Sequence, residues 1–267
     1  MDTVQLPSLG RGADSPSIRA MALTRIDCFF WNGPQAHEGR YIALNPRHSP
    51  GCLIVAGSEA GRESIGGQVA SKMALEQFAA GALTYFQECP SPTPGREPSL
   101  EALERAFKEA NSSVYEFGHK LAAGGRLAAS LFGLVIDSRL AAAGRVGDGG
   151  AYLGRGGELF PFFDTAGGGG EDTDRFDRGV GLSSVVTVEL ASVALQPDDS
   201  IFIFSRTLQS RDEHALLDLI RLGAPESFKD YTEFMQNLCD DSDDIVYASL
   251  CRIGPETVYL DRGLRAV

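Results

Sequence analysis

Histidine is scarce and cysteine is badly spaced for metal chemistry. The four histidines form no His-x-x-x-His pair, which excludes the helical zinc site that such a pair builds. The five cysteines, Cys28, Cys52, Cys89, Cys239 and Cys251, form no Cys-x-x-Cys pair. An odd, scattered set in apolar surroundings reads as reduced core thiols of a cytoplasmic protein. The one metal class left open is oxygen-ligated. Cations are short as well: 24 Lys and Arg stand against 36 Asp and Glu, a net charge of -12. That balance excludes a basic nucleic-acid face and attraction to an anionic membrane surface, and the acidic excess serves solubility. No apolar run reaches the roughly 18–20 residues that span a bilayer. The opening MDTVQLPSLGRGADSPS has neither a basic start nor an apolar stretch, so no signal peptide is expected. There is no internal repeat and no long hydrophilic linker, which predicts one domain over residues 25–263 behind a flexible tail of residues 1–24.

What is present is periodicity of two kinds. Arg25–Trp31 and Arg40–Leu44 read as strands around an Asn32-Gly33-Pro34 turn, and Cys52–Ala56 as a strand buried on both faces. A glycine- and polar-rich loop, Gly57–Gly67, leads into a helix over Val69–Ala80, with Val69, Met73, Phe78 and Ala80 inward. The proline-rich Cys89–Ser99 is a surface loop. Leu100, Leu103, Phe107, Ala110, Val114, Phe117 and Leu121 then recur in steps of three and four, predicting a helix with Ser99 as N-cap and Gly124-Gly125 at its end. From Arg126 the period becomes two. Leu127–Ile136, Leu140–Val146, Gly150–Gly154 and Glu158–Phe162 read as a meander, followed by strands at Val185–Ala194 and Ser200–Ser205. Asp212 is the expected N-cap of a helix carrying Leu216, Leu217 and Ile220. A second helix carries Phe228, Tyr231, Phe234, Met235 and Leu238, and strands at Ile245–Ile253 and Thr257–Leu260 close the chain. Asp164–Asp174 is glycine-rich and acidic, hence expected to be mobile. Its Gly167–Gly170 lacks the following helix and nearby lysine that a phosphate loop needs. Two helices between sets of mostly antiparallel strands predict an α+β sandwich.

Four segments carry a resemblance, in order. Cys52–Ala56 with Gly67-Gln68-Val69-Ala70-Ser71, the run GRVGDGGAYLGRGGEL, the run LQPDDSIFIFSRT, and Asp243-Asp244-Ile245-Val246 are similar to VVADGMGG…GEVAS, ANVGDSRAYLLRDGEL, LQPGDRLLLCSDG and DNIT. Those are motifs of the metal-dependent protein phosphatases of the PPM (PP2C-like) family, and the chain resembles that family from about residue 27 to about residue 260. The resemblance implies a four-layer αββα sandwich, two mostly antiparallel sheets flanked by helices. It also implies a site where carboxylates hold two hard cations, Mn2+ or Mg2+, that activate water for attack on phosphorus.

The departures fall on the implied ligands. The family's phosphate-gripping Arg and its Glu-Asp pair align with Pro34, Glu38 and Gly39. The bridging Asp-Gly becomes Gly57-Ser58, with Glu59 the nearest carboxylate left. The Asp of Ser-Asp-Gly becomes Arg206, a permanent cation, while the last ligand is matched by Asp243, with Asp244 for the family's Asn. A unit charge about 4 Å from a divalent ion, at an effective dielectric of about 20, is repelled by roughly 8 kcal/mol. Two-metal catalysis is therefore expected to be lost, with no cofactor bound. Arg206 is expected to pair bidentately with Asp243, against the plainer reading of a solvent-facing arginine. Asp148 has two readings: a residual metal ligand, which the family's Gly-Asp supplies in some bacterial members, or a turn residue between Gly147 and Gly149. Glu38 and Glu59 are either ligands or solvated loop acids. The leading expectation is a non-hydrolytic domain that binds a protein, a kinase or a phosphoprotein, in phospho-signalling. The competing one is an active Mn2+- or Mg2+-dependent serine/threonine phosphatase using Asp148, Asp243 and Asp244.

Overall fold

The computed structural model describes residues 25–32, 39–47, 49, 51–60, 64–88, 95–121, 127–137, 139–163, 178–221, 228–240 and 245–254. The predicted tail, the Asp164–Asp174 segment, the strand at Thr257–Leu260, and the site candidates Glu38, Asp243 and Asp244 lie outside the described residues. Ten strands and four helices are described: β1 Arg25–Asn32, β2 Gly39–Leu44, β3 Leu53–Ala60, α1 Ile65–Glu88, α2 Pro98–Lys120, β4 Ala129–Ile136, β5 Leu140–Val146, β6 Gly150–Arg155, β7 Glu158–Pro161, β8 Glu189–Ala194, β9 Ser200–Phe204, α3 Ser210–Arg221, α4 Phe228–Asp240 and β10 Tyr247–Gly254.

The strands form two five-stranded sheets, ordered β1-β10-β9-β6-β7 and β2-β3-β4-β5-β8. Every pairing between these strands is antiparallel. Helices α1 and α2 cover the outer face of the second sheet, and α3 and α4 that of the first. Three separate cores result. Ile54, Phe78, Phe107, Leu131 and Val135 pack between the second sheet and α1/α2. Val55, Phe132, Leu134, Ile203 and Ile253 fill the space between the sheets. Phe202, Phe204, Leu216, Met235 and Leu250 lie under α3 and α4. This is the four-layer αββα sandwich that the resemblance implies.

The layering explains the composition of the inner strands. β4, ASLFGLVI, is buried at all eight positions because helices cover one face and a sheet the other. Its alternate residues separate cleanly: Leu131 and Val135 go to the helices, Phe132 and Leu134 to the facing sheet. Gly133 leaves room for an edge-to-face Phe78–Phe107 pair, centroids 5.1 Å apart.

The boundaries differ from the sequence reading in ways the structure explains. α2 starts at Pro98, with Glu97 at the N-cap, because proline's fixed φ and missing N–H suit the first turn. Ser99 Oγ donates instead to Asp137 Oδ2 at 2.8 Å. Leu121, expected on the buried stripe, is exposed beyond the last turn. α1 begins at Ile65 rather than Val69 and runs to Glu88; Ala80 faces solvent, while Ala74, Leu75 and Ala82 face the core. α3 begins at Ser210, which puts Asp212 inside its first turn, and β8 begins four residues after Val185. β3 does not end at Ala56: it continues through Gly57, Ser58, Glu59 and Ala60, so the first four residues of the expected loop are strand, and its last three, from Ile65, already belong to α1. Cys52, Cys239 and Cys251 are buried and stand in no disulfide among the described residues. No described helix is long and apolar enough to cross a membrane.

Candidate functional site

The extension of β3 decides which way the substituted residues point. Side chains alternate along a strand, and Leu53 and Val55 face the space between the sheets whereas Ile54 and Ala56 face α1. Gly57 and Glu59 therefore belong to the inter-sheet face, and Ser58 to the helix face. Ser58 Oγ donates to the Ser130 carbonyl at 2.7 Å, and the Ser58 carbonyl accepts the Ser71 hydroxyl at 3.1 Å. Its hydroxyl is thus turned away from the cleft and tied to the neighbouring strand β4, while its carbonyl is tied to α1.

Opposite Gly57 stands Tyr247, the first residue of β10. It shares its inward face with Cys251 and Ile253, both members of the inter-sheet core. The ring is buried, 3% exposed, and lies against Gly57. A Cβ added at Gly57 would fall within 3.0 Å of two ring carbons, Cε2 and Cζ, and of the hydroxyl oxygen Oη at 2.7 Å. The hydroxyl is buried and has no hydrogen-bond partner among the described residues. Burial first, then the negative charges of Glu59 and Asp148, push the Tyr247 phenol well above its ordinary range.

The rim of this end is built by Asp148, Arg145 and Thr207. Gly147, with φ +82°, turns the chain from β5 toward β6, and a side chain there would meet the Arg178 carbonyl oxygen at 2.7 Å. Asp148 Oδ1 accepts the Gly149 N–H at 2.9 Å, the Thr207 N–H at 3.1 Å and the Thr207 hydroxyl at 3.4 Å. Arg145, inward-facing on β5 and buried, donates through Nη1 to the Gly149 carbonyl at 2.9 Å and to Thr207 Oγ1 at 3.2 Å. Its Nε and Nη2 reach Glu189 Oε2 at 3.1 and 2.9 Å, and its guanidinium lies 4.5 Å from the Phe163 ring centre. One carboxylate and one guanidinium thereby join the β5–β6 turn, the end of β9 and the edge strand β8. Arg206 is itself buried, 9% exposed, next to Thr207, and its carbonyl sits close against Gly150.

The structure therefore brings Gly57, Glu59 and Asp148 together around Tyr247 at one end of the inter-sheet cleft, with Arg206 buried just past the end of β9. Sequence reasoning did not single out Arg145, Thr207 or Tyr247. An arginine alternating with small residues in LAAAGRV was the available signal for the first; Tyr247, inside an apolar strand, gave none.

The fit of these residues to a two-metal centre is poor. Gly57, where the resemblance implies a bridging acid, carries no carboxylate and lies against the Tyr247 ring, and Arg206, where it implies another ligand, is a buried cation. Among the described residues no group of three or more His, Cys, Asp or Glu is placed to hold a metal ion.

No family model matches the sequence, and no curated protein matches it. Solved structures do match in fold. PppA of Pseudomonas aeruginosa, described as a key regulatory component of T6SS, is 15% identical, with 86% of this chain and 97% of that chain covered at a TM-score of 0.60. The catalytic domain of the serine/threonine protein phosphatase PstP, in complex with two manganese ions, is 17% identical, covers 86% and 98%, and has a TM-score of 0.61. Stp1, the serine/threonine phosphatase of Staphylococcus aureus, is 12% identical over 92% and 99%, with a TM-score of 0.63. The fold is that of PP2C-like serine/threonine phosphatases.

Proposed function

We propose that this chain is a PP2C-like domain that does not hydrolyse phosphoesters and acts by binding a protein partner, a kinase or a phosphoprotein, in phospho-signalling. One observation carries the reading: the Tyr247 ring lies against Gly57, where the family's bridging carboxylate is implied, so neither an acid at that position nor the ions it would hold have room. Arg206 adds a fixed positive charge at the end of β9. The neighbours named as protein phosphatases, and PppA named as a regulatory component, supply the signalling context by analogy of fold. Residues lost for chemistry do not remove the sandwich, whose three cores remain intact and can present a binding surface.

The test is hydrolysis of p-nitrophenyl phosphate and of a phosphoserine peptide with Mn2+ or Mg2+, alongside thermal unfolding with and without the ions. Turnover at the buffer rate and an unmoved Tm support the reading. Metal-dependent turnover overturns it in favour of an active phosphatase. Affinity capture from the native cell extract tests the binding half: proteins retained by the wild type and lost on Arg206→Glu support it, and equal retention by both removes the cleft from the interaction.

A further inference from the structure

We infer that Tyr247 is a steric plug, a third substitution at the degenerate site, and that restoring acids at positions 57 and 206 does not rebuild a divalent-ion site while the ring remains. The inference deepens the non-hydrolytic reading and rests on it, but its test is independent of turnover.

Volume decides what position 57 can hold. Gly57 and Tyr247 face each other across the gap between the sheets, from β3 and β10. A Cβ at position 57 would overlap two ring carbons and the hydroxyl oxygen, and an aspartate needs its carboxyl group beyond that Cβ. The ring has no free side to retreat to: it is 3% exposed, its Cα is held in register opposite Asn32, and its carbonyl accepts the Ser205 N–H at 2.9 Å. Val246, its neighbour, is fixed by donation to Ser205 Oγ at 2.9 Å. Interiors packed this tightly accommodate an added group only by displacing a neighbour.

The ring also explains how a site stripped of cations stays closed. Without ions, the gap at this end would be a void or a wet channel between sheets; an aromatic side chain fills it with apolar surface. Gly57 and Tyr247 are thus complementary, one small because the other is large.

Two measurements test the plug. In the first, Mn2+ binding is followed by the loss of the free-ion EPR signal in Gly57→Asp/Arg206→Asp and in Gly57→Asp/Arg206→Asp/Tyr247→Ala. The double variant is expected to bind no better than wild type, and the triple at least tenfold more tightly, with a Tm that rises on Mn2+ addition. Equal binding by the two, or a triple variant that binds no better than wild type, overturns the inference. A double variant that fails to fold while the triple folds supports it. The second measurement holds if neither folds: a stability cycle of Gly57→Ala with Tyr247→Ala. The Gly57 substitution is expected to lower Tm in the presence of the ring and to leave it unchanged in its absence; the same loss in both backgrounds overturns the plug. Failure of the non-hydrolytic reading shows separately, as metal-dependent turnover by the wild type.

Discussion

Arg155 grips Asp199 with both ends of its guanidinium, Nε to Oδ1 at 2.8 Å and Nη2 to Oδ2 at 2.6 Å, joining β6 to the turn that feeds β9. Asp199 is 1% exposed and also accepts the Gln196 N–H at 2.8 Å, while Arg155 Nη2 donates to the Ala194 carbonyl at 2.7 Å. From the sequence, Asp198-Asp199 is simply a turn after Pro197. The structure separates them: Asp198 takes the positive φ of the turn, and Asp199 turns inward as the counter-charge. Arg155→Ala leaves a buried carboxylate with one backbone N–H, which costs about 2–4 kcal/mol, less than a fully buried pair because the arginine is a quarter exposed. Urea unfolding checks this, and a loss below about 1 kcal/mol would show the pair to be ornamental.

Gly133 and Phe78 form the second testable pair. A Cβ at Gly133 would stand 2.7 Å from Phe78 Cε2, with Leu103 at 3.2 Å behind it. Gly133→Ala is therefore expected to lose about 1–3 kcal/mol by overpacking, despite alanine's lower unfolded-state entropy. Phe78→Leu in the same chain is expected to recover part of that loss, so the two changes are non-additive. Additive losses would mean that the strand moves instead of the ring.

How much of this was readable beforehand depends on how one-sided each element's surroundings are. α2 has helices and sheet on one side and solvent on the other, so its stripe from Leu103 to Val114 shows at a glance. α1 is covered by both α2 and the sheet, and its alanines and glycines carry no clear stripe, so its ends were misplaced by several residues. β4 and β5 stood out as apolar runs between turn signals, although burial on both faces leaves them no polar alternation. The site was legible only as deletions, Gly57 and Arg206 for carboxylates. What replaced the lost chemistry was not, because Tyr247 in VYASL looks like any core aromatic, and the roles of Arg145 and Thr207 depend on contacts 44 and 62 residues apart in sequence.

The rim offers a third expectation. Thr207 stands between Asp148 and Arg145, its hydroxyl donating to one and accepting from the other. Thr207→Val keeps the shape and removes both bonds, leaving a buried guanidinium one acceptor short. A loss of about 1–2 kcal/mol is expected by urea unfolding, with no change for Thr207→Ser. A loss on Thr207→Ser with none on Thr207→Val would assign the effect to the methyl group instead.

Alkaline pH gives a fourth. Burial, and then the charges of Asp137 and Asp240, push the Cys52 and Cys239 thiols from 9.0 up to about 12. The folded state holds these protons more tightly than the unfolded chain, so the stabilisation is complete below pH 9 and is lost as pH rises toward 12. Each thiol contributes a slope of up to about 1.4 kcal/mol per pH unit in that window. Urea midpoints are expected to fall above about pH 9, and less steeply in a Cys52→Ala/Cys239→Ala variant. A flat profile through this range would mean that the thiols titrate alike in both states.

Tyr247→Phe separates the ring from its hydroxyl. Oη is buried with no hydrogen-bond partner among the described residues, and Glu59 and Asp148 are its charged neighbours. A neutral hydroxyl buried without a partner costs about 1–3 kcal/mol relative to one that is bonded, whereas the ring provides the packing. Phenylalanine keeps the ring and drops the cost. The variant is expected to be as stable as wild type or up to about 1 kcal/mol more stable, with no gain in Mn2+ binding. Tyr247→Leu, which removes ring volume, is expected to lose about 2–4 kcal/mol. The contrast is what matters: a large loss on Tyr247→Phe with little further loss on Tyr247→Leu would place the stabilisation in the hydroxyl and contradict a role based on filled space.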